Sequence, residues 1–191
     1  IMGLWRASQG RITFKGNDIT RLDTPRIAQL NIAYVPENMG IFADLTVKEN
    51  LLLAARGSST AARMDSARLS WIFDMFPAVD KFWNYPAGKL SGGQKQMVAV
   101  ARAIVEPRDL LIVDEPSKGL APAIINNMIG AFNQLKKSGV TILLVEQNVH
   151  FARKLGDSVA VMDDGRVAHA GSMAQLAEDE QLQQSLLGLA L

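Results

Sequence analysis

Two kinds of hydrophobic spacing divide the chain. Leu110 to Val113 and Val140 to Val145 are unbroken aliphatic runs of strand length, the pattern of strands buried on both faces of a parallel sheet. Between them Ile125, Met128, Ile129, Phe132 and Leu135 recur at helical spacing within Ala121 to Lys137. Ser138-Gly139 ends that helix, which predicts a strand, helix, strand unit. Nearer the start, Arg11 to Lys15 alternates polar and apolar residues ahead of Gly16-Asn17-Asp18, a half-buried strand followed by a turn. Ile32 to Val35, stopped by Pro36, is a second short strand. Later, Ser158 to Met162 and Arg166 to Ala170 flank Asp163-Asp164-Gly165, where Asp-Gly signals a hairpin. An amphipathic tail, Met173 to Leu187, closes the chain, and Ile1 to Trp5 reads as the apolar end of a helix whose beginning is missing.

Residues 44–90 have a different texture. Thr46 to Arg56 begins with Thr, carries Glu49 three positions on and then turns apolar, the pattern of a capping box. Six of the twelve aromatic residues lie between Trp71 and Tyr85 and read either as a small core or as a groove for a partner helix. The organisation expected is an α/β sheet core, residues 1–43 and 105–191, with a helical subdomain, residues 44–104, inserted into it.

Composition narrows the classes of activity. At 191 residues the chain is long enough for one or two domains with a real core. Twenty Lys and Arg against 19 Asp and Glu leave a net charge of +1, which argues against gripping nucleic-acid backbone. The absence of cysteine excludes disulfides, cysteine metal sites and thiol catalysis. No apolar run approaches the roughly 18 residues of a membrane span, and nothing reads as a secretory signal, so the cytoplasm is the expected compartment.

Two segments carry chemistry. In Leu90-Ser91-Gly92-Gly93-Gln94, which opens a helix running to about Ile104, Ser91 is a natural N-cap. The glycines let a ligand approach backbone amides where the helix dipole is positive, an anion-binding helix start. Alone, the segment is equally a capped helix with a glycine-rich entry. In Leu110-Leu111-Ile112-Val113-Asp114-Glu115-Pro116 an aliphatic strand delivers two carboxylates at its C-terminal end, where open α/β sheets bind ligands. Asp114 suits a direct or water-mediated Mg²⁺ contact, and Glu115 suits general-base or water-positioning duty. An acidic turn after a buried strand is the plain alternative.

Together these residues resemble the nucleotide-binding subunit of an ABC transporter, a P-loop NTPase-like fold, and the match extends over essentially the whole chain. Leu90 to Gln94 matches the family's signature motif, and Leu110 to Glu115 its Walker B strand and catalytic glutamate. Lys118-Gly119-Leu120-Ala121 lies where the D-loop belongs and departs from the family's usual Ser-Ala-Leu-Asp. The resemblance implies ATP hydrolysis with Mg²⁺ at Asp114 and Glu115 as the catalytic base. It also implies a head-to-tail dimer with a second ATPase subunit, identical or paralogous, in which Ser91, Gly92, Gly93 and Gln94 serve the partner's nucleotide. A membrane permease and, indirectly, a solute-binding protein are the further partners, with the subunit peripheral on the inner face of the plasma membrane.

Val35-Pro36-Glu37 occupies the Q-loop, where most members carry Gln, and Leu144-Val145-Glu146-Gln147-Asn148 occupies the switch-histidine segment, with Gln147 at the usual His position. Glu37 can accept from a metal-bound water and Gln147 can donate to a phosphate. Both departures, with Phe42-x-x-Leu45-Thr46-Val47-x-Glu49-Asn50-Leu51 and Gly119-Leu120-Ala121-Pro122, resemble the branched-chain amino acid importer ATPases; the urea importer ATPases are similar. His150 reads as a solvated helix-start residue, with replacement of the missing histidine as the alternative, and His169 as ordinary strand surface.

No Gly-x-x-x-x-Gly-Lys-Ser/Thr occurs in the 191 residues. The expectation is therefore a chain truncated ahead of Ile1, inactive by itself, whose phosphate loop precedes the helix ending at Trp5. Two other readings stand: a short protein that supplies only the signature half to a full-length ATPase, and an ABC-type ATPase working on ribosomes or DNA. The balanced charge and lack of coiled-coil heptads count against the last.

Overall fold

Three parallel strands position everything else. The computed structural model describes residues 1–55 and 64–187. The elements in chain order are β1 (Thr13–Phe14), β2 (Asn17–Asp18), α1 (Thr24–Gln29), β3 (Ile32–Val35), α2 (Val47–Leu52), α3 (Ser66–Met75), α4 (Pro77–Lys81), α5 (Gly92–Ala103), β4 (Leu110–Asp114), α6 (Pro122–Lys137), β5 (Thr141–Val145), α7 (Val149–Leu155), β6 (Ser158–Asp163), β7 (Arg166–Ser172), α8 (Met173–Glu178) and α9 (Glu180–Leu187). By packing, the chain divides into two units, residues 1–145 and 146–191.

In the first unit the sheet order is β3-β4-β5, with Ile32 opposite Leu110 and Val35 opposite Val113, then Leu110 opposite Thr141 and Asp114 opposite Val145. Parallel neighbours need long crossovers, and helices provide them. Helices α2 to α5 all lie in the chain between β3 and β4. The central strand β4 is buried through Leu111, Ile112 and Val113, as its aliphatic run predicts. The β5 run reads the same way but does not behave so: Thr141, Leu143 and Val145 are exposed, and Val145 is 49% accessible. As the last strand in the order, β5 has one pairing neighbour and one covered face. Helix α6 buries Met128, Phe132 and Leu135, a stripe at three- to four-residue spacing, and α5 buries Val98, Val100 and Ala101.

The Thr46 capping box forms as its residues predict: the Thr46 Oγ1 accepts from the Glu49 N–H, and the Glu49 carboxylate accepts from the Thr46 N–H. That helix ends at Leu52, and Arg56 lies outside the described residues. Asn50 on the same helix is fully buried, and its side-chain amide clasps the loop ahead of it. Its Oδ1 accepts from the Phe42 N–H at 2.8 Å, while its Nδ2 donates to the Phe42 carbonyl at 3.0 Å and the Thr46 carbonyl at 2.9 Å. Of the six aromatic residues Phe76 is buried, Trp71, Phe73, Phe82 and Trp83 are half-buried and Tyr85 is exposed, and Phe73 meets Trp83 edge-to-face at 5.1 Å.

Three further expectations need correction. Ile1 to Trp5 forms no helix; Gly3 sits at φ +71° with its α-carbon side against the Leu22 carbonyl, and Trp5 is 91% exposed. A single helical turn does not offset the cost of nucleation, so a five-residue segment follows its packing instead. The first hairpin turns at Lys15 and Gly16, both at positive φ, so Asn17 and Asp18 are strand and not turn. The tail is two helices, because the Asp179 carboxylate accepts from the Leu182 N–H and starts α9 afresh. Helix α1, capped by Asp23 with Pro25 in its first turn, has no counterpart in the periodicity reading.

The second unit contains α7, the β6–β7 hairpin with Asp164-Gly165 at its turn, and α8 packed on both strands.

Candidate functional site

The C-terminal end of β4 brings charged side chains together from two chain segments. Parallel register sets Tyr34 opposite Ile112, so Tyr34 and Asp114 fall on one face of neighbouring strands, and the Tyr34 hydroxyl donates to Asp114 Oδ2 at 3.2 Å. Burial, and then that bond to the carboxylate, push the Tyr34 phenol up from its ordinary value. Glu115 follows in a left-handed conformation, φ +45°, its N–H bonded to the Val145 carbonyl of the next strand at 2.9 Å. Such a backbone costs on the order of 1 to 3 kcal/mol away from glycine and concentrates at functional sites.

Lys118, three residues on, turns back over this corner. Its Nζ donates to Glu37 Oε1 at 2.5 Å and lies 3.3 Å from Glu115 Oε2. The bonds to Glu37 and then to Glu115 push the ammonium's pKa up. The structure therefore gathers Glu37 and Glu115 about one cation, with Asp114 beside them at the end of its strand. Among the described residues, no three or more His, Asp or Glu side chains form a protein-only metal cage. The donors at this corner are hard carboxylate oxygens, and they fit Mg²⁺, which is commonly held by one or two carboxylates together with substrate phosphates.

The second group is the start of α5. Ser91 caps it reciprocally: the Gln94 N–H donates to Ser91 Oγ at 3.4 Å and the Ser91 N–H donates to Gln94 Oε1 at 2.9 Å. Gln94 thus has a structural duty at the cap. Ser91 and Gly92 are exposed, and the side of Gly92 where a Cβ would stand is open. Gly93 is different, since a Cβ there would come within 2.7 Å of Ile124 Cγ2 in the first turn of α6. Ser91→Ala is expected to lower stability by about 1 kcal/mol through loss of the cap. A thermal midpoint equal to that of the unaltered protein would rule out that capping role.

Gln147 lies in the second unit, exposed, two residues past β5. It sits between Glu146, whose carboxylate accepts from the Asn148 N–H, and Asn148, whose side chain caps α7. His150 is exposed in the first turn of that helix. His169 corrects an expectation: it is half-buried beside Gly171, with Nε2 shielded and no hydrogen-bond partner found for it. Tyr34 and Lys118 are the site residues that motif reading misses. For Lys118 a signal existed, because a cation three residues after a glutamate in a turn is within reach of it. For Tyr34 there was none before the strand register was known.

Comparison with known proteins gives a consistent neighbourhood. The family model described as ABC transporter matches residues 1–118. The high-affinity branched-chain amino acid transport ATP-binding protein BraG of Pseudomonas aeruginosa is 35% identical over 188 residues, covering 98% of this chain and 80% of its own length. The probable branched-chain amino acid transport ATP-binding protein LivF of Archaeoglobus fulgidus is 36% identical over 99% of this chain and 80% of its own. A methionine import ATP-binding protein, MetN 3 of Oceanobacillus iheyensis, is 30% identical over 89% of this chain and 50% of its own. In structure, cbiO1 from Clostridium perfringens, part of the transporter complex cbiONQ, superposes with a TM-score of 0.79 at 24% identity, covering 99% of this chain and 76% of its own. A nucleotide-free ATP-binding cassette from an ABC transporter gives 0.78 at 22% identity, over 100% of this chain and 81% of that one.

Proposed function

This chain belongs to the ABC transporter family, whose ATP-binding domains are ATPases, and from that membership we propose that it energises an importer of branched-chain amino acids or related small polar solutes. The observation that carries the reading is the corner at the end of β4, where Lys118 bridges Glu37 and Glu115 and Asp114, the neighbour of Glu115, accepts from Tyr34. The likeness to BraG and LivF over nearly the whole chain supports the substrate class. The residues divide the work by chemistry. Asp114 holds Mg²⁺, which when bound neutralises charge on the phosphates. Glu115 orients the attacking water and accepts its proton, while Glu37 accepts a hydrogen bond from water at the same corner. Gln147 donates to a phosphate oxygen.

The open start of α5, with Ser91, Gly92, Gly93 and Gln94, serves a nucleotide held by a second ATPase subunit in a head-to-tail dimer. Closure of that dimer moves the helical subdomain, residues 44–104, and through the Glu37–Asn50 segment a membrane permease fed by a solute-binding protein. Among the described residues no helix is long and apolar enough to cross a membrane. In this reading the permease supplies the passage and the subunit sits against its inner-face loops.

The decisive experiment reconstitutes the subunit with its permease and solute-binding protein in vesicles. Leucine, methionine and urea are then compared as stimulants of ATP turnover. Stimulation by leucine above the other two is the expected result. Stimulation by methionine or urea alone would reassign the solute, and an absence of turnover under every condition would favour a partner that supplies only the signature helix.

A further inference from the structure

We propose that Lys118 is a positioning residue for Glu115, tying its carboxylate to that of Glu37 and so to the loop that follows β3; this rests on the ATPase reading above. The D-loop stretch here departs from the family's usual Ser-Ala-Leu-Asp, and the departure places an ammonium between two carboxylates 78 positions apart in the sequence: Nζ lies 2.5 Å from Glu37 Oε1 and 3.3 Å from Glu115 Oε2.

Three observations make the contact more than a surface pair. First, the Glu115 backbone is left-handed, and a residue persists in that region only where its surroundings over-determine it. The Val145 carbonyl holds its N–H, the Lys118 N–H donates to its carbonyl at 3.2 Å, and the Lys118 ammonium faces its side chain. Second, the Glu115 side chain is 16% exposed against 61% for Lys118 and 52% for Glu37, so the pair closes over the solvent side of the inner carboxylate. Third, the loop carrying Glu37 is itself anchored to the helices. Arg102 of α5 donates to the Gly40 carbonyl at 2.6 Å and stacks on Phe42, and Asn50 of α2 clasps Phe42 from the other side. Lys118 completes a continuous set of contacts from α2 and α5 through the 36–42 loop to Glu115. A shift of the helical subdomain therefore alters the position of the carboxylate that activates water, without touching the nucleotide.

The test is a double-mutant cycle on the subunit in its permease complex, with kcat and KM for ATP measured for K118M, K118R, E37Q and K118M/E37Q. K118M should lower kcat about fivefold, the scale of two partly exposed ion pairs, with KM within about twofold. K118R should restore kcat to within about twofold, and the double variant should be no slower than the slower single one. An unchanged kcat in K118M, losses that multiply in the double variant, or K118R failing to rescue would each overturn the proposal.

A second readout does not depend on turnover. The ¹³Cδ resonance of Glu115 should move on E37Q when Lys118 is present and stay fixed when E37Q is made on top of K118M. Equal movement in both backgrounds overturns the coupling. If the unaltered subunit hydrolyses no ATP, the ATPase reading falls, and this resonance alone decides the role of Lys118.

Discussion

Glu115→Gln in the subunit is expected to bind ATP as before and to lose about 10²- to 10³-fold of its turnover. The amide keeps the volume and the hydrogen-bonding reach of the carboxylate but removes its proton-accepting charge, and a positioned general base contributes on this scale. Two features argue that the fold tolerates the change. The backbone bonds that hold position 115, from its N–H to Val145 and from the Lys118 N–H to its carbonyl, do not involve the side chain. The ion pair that is lost, to a largely exposed Lys118, contributes little to stability. Nucleotide titration and phosphate release on the same preparation separate binding from chemistry. Turnover within about threefold of the unaltered subunit would remove Glu115 from the role of base.

Asn50→Leu is expected to cost about 3 kcal/mol, a drop of roughly 6 to 12 °C in thermal midpoint for a chain of this size. The Thr46 carbonyl still accepts from the position-50 N–H of its own helix, and the Phe42 carbonyl still accepts from the Leu45 N–H. The Phe42 N–H, however, has Asn50 Oδ1 as its recorded partner at 2.8 Å, beside a side chain with no solvent exposure. One stranded donor and the loss of the amide's own bonds account for the magnitude. The same substitution frees the 42–46 loop at the point where the Glu37 segment is anchored to α2. A midpoint lowered by less than about 2 °C would show that water replaces the amide there.

Much of the architecture was legible wherever structure is decided locally. The β4 aliphatic run, the α6 stripe, the Asp-Gly hairpin turn, the Thr46 capping box and the Ser91 N-cap follow from residues within a few positions of one another, and all are present. Asp114 and Glu115 were paired by adjacency; the reciprocal bond of Gln94 to Ser91 was not read from the sequence. What escaped depends on distant parts of the chain. The open face of β5 is a matter of which strand ends the sheet, and its aliphatic sequence is silent on that. The Tyr34–Asp114 bond needs a register between strands 80 positions apart. The break at Asp179 is a contest between a continuous apolar stripe and one capping carboxylate, and the cap prevails.

The left-handed turn at Glu115 also bears on how the molecule responds to selection. At φ +45° a glycine would relieve about 1 kcal/mol of steric strain, and asparagine part of it, whereas glutamate keeps the strain and supplies the carboxylate. With Glu115 as the base proposed above, stability and chemistry pull this one position in opposite directions. A directed-evolution screen scored on heat resistance alone would drift toward glycine at 115, returning hardier proteins that no longer work; only a screen that also demands turnover would hold the glutamate in place.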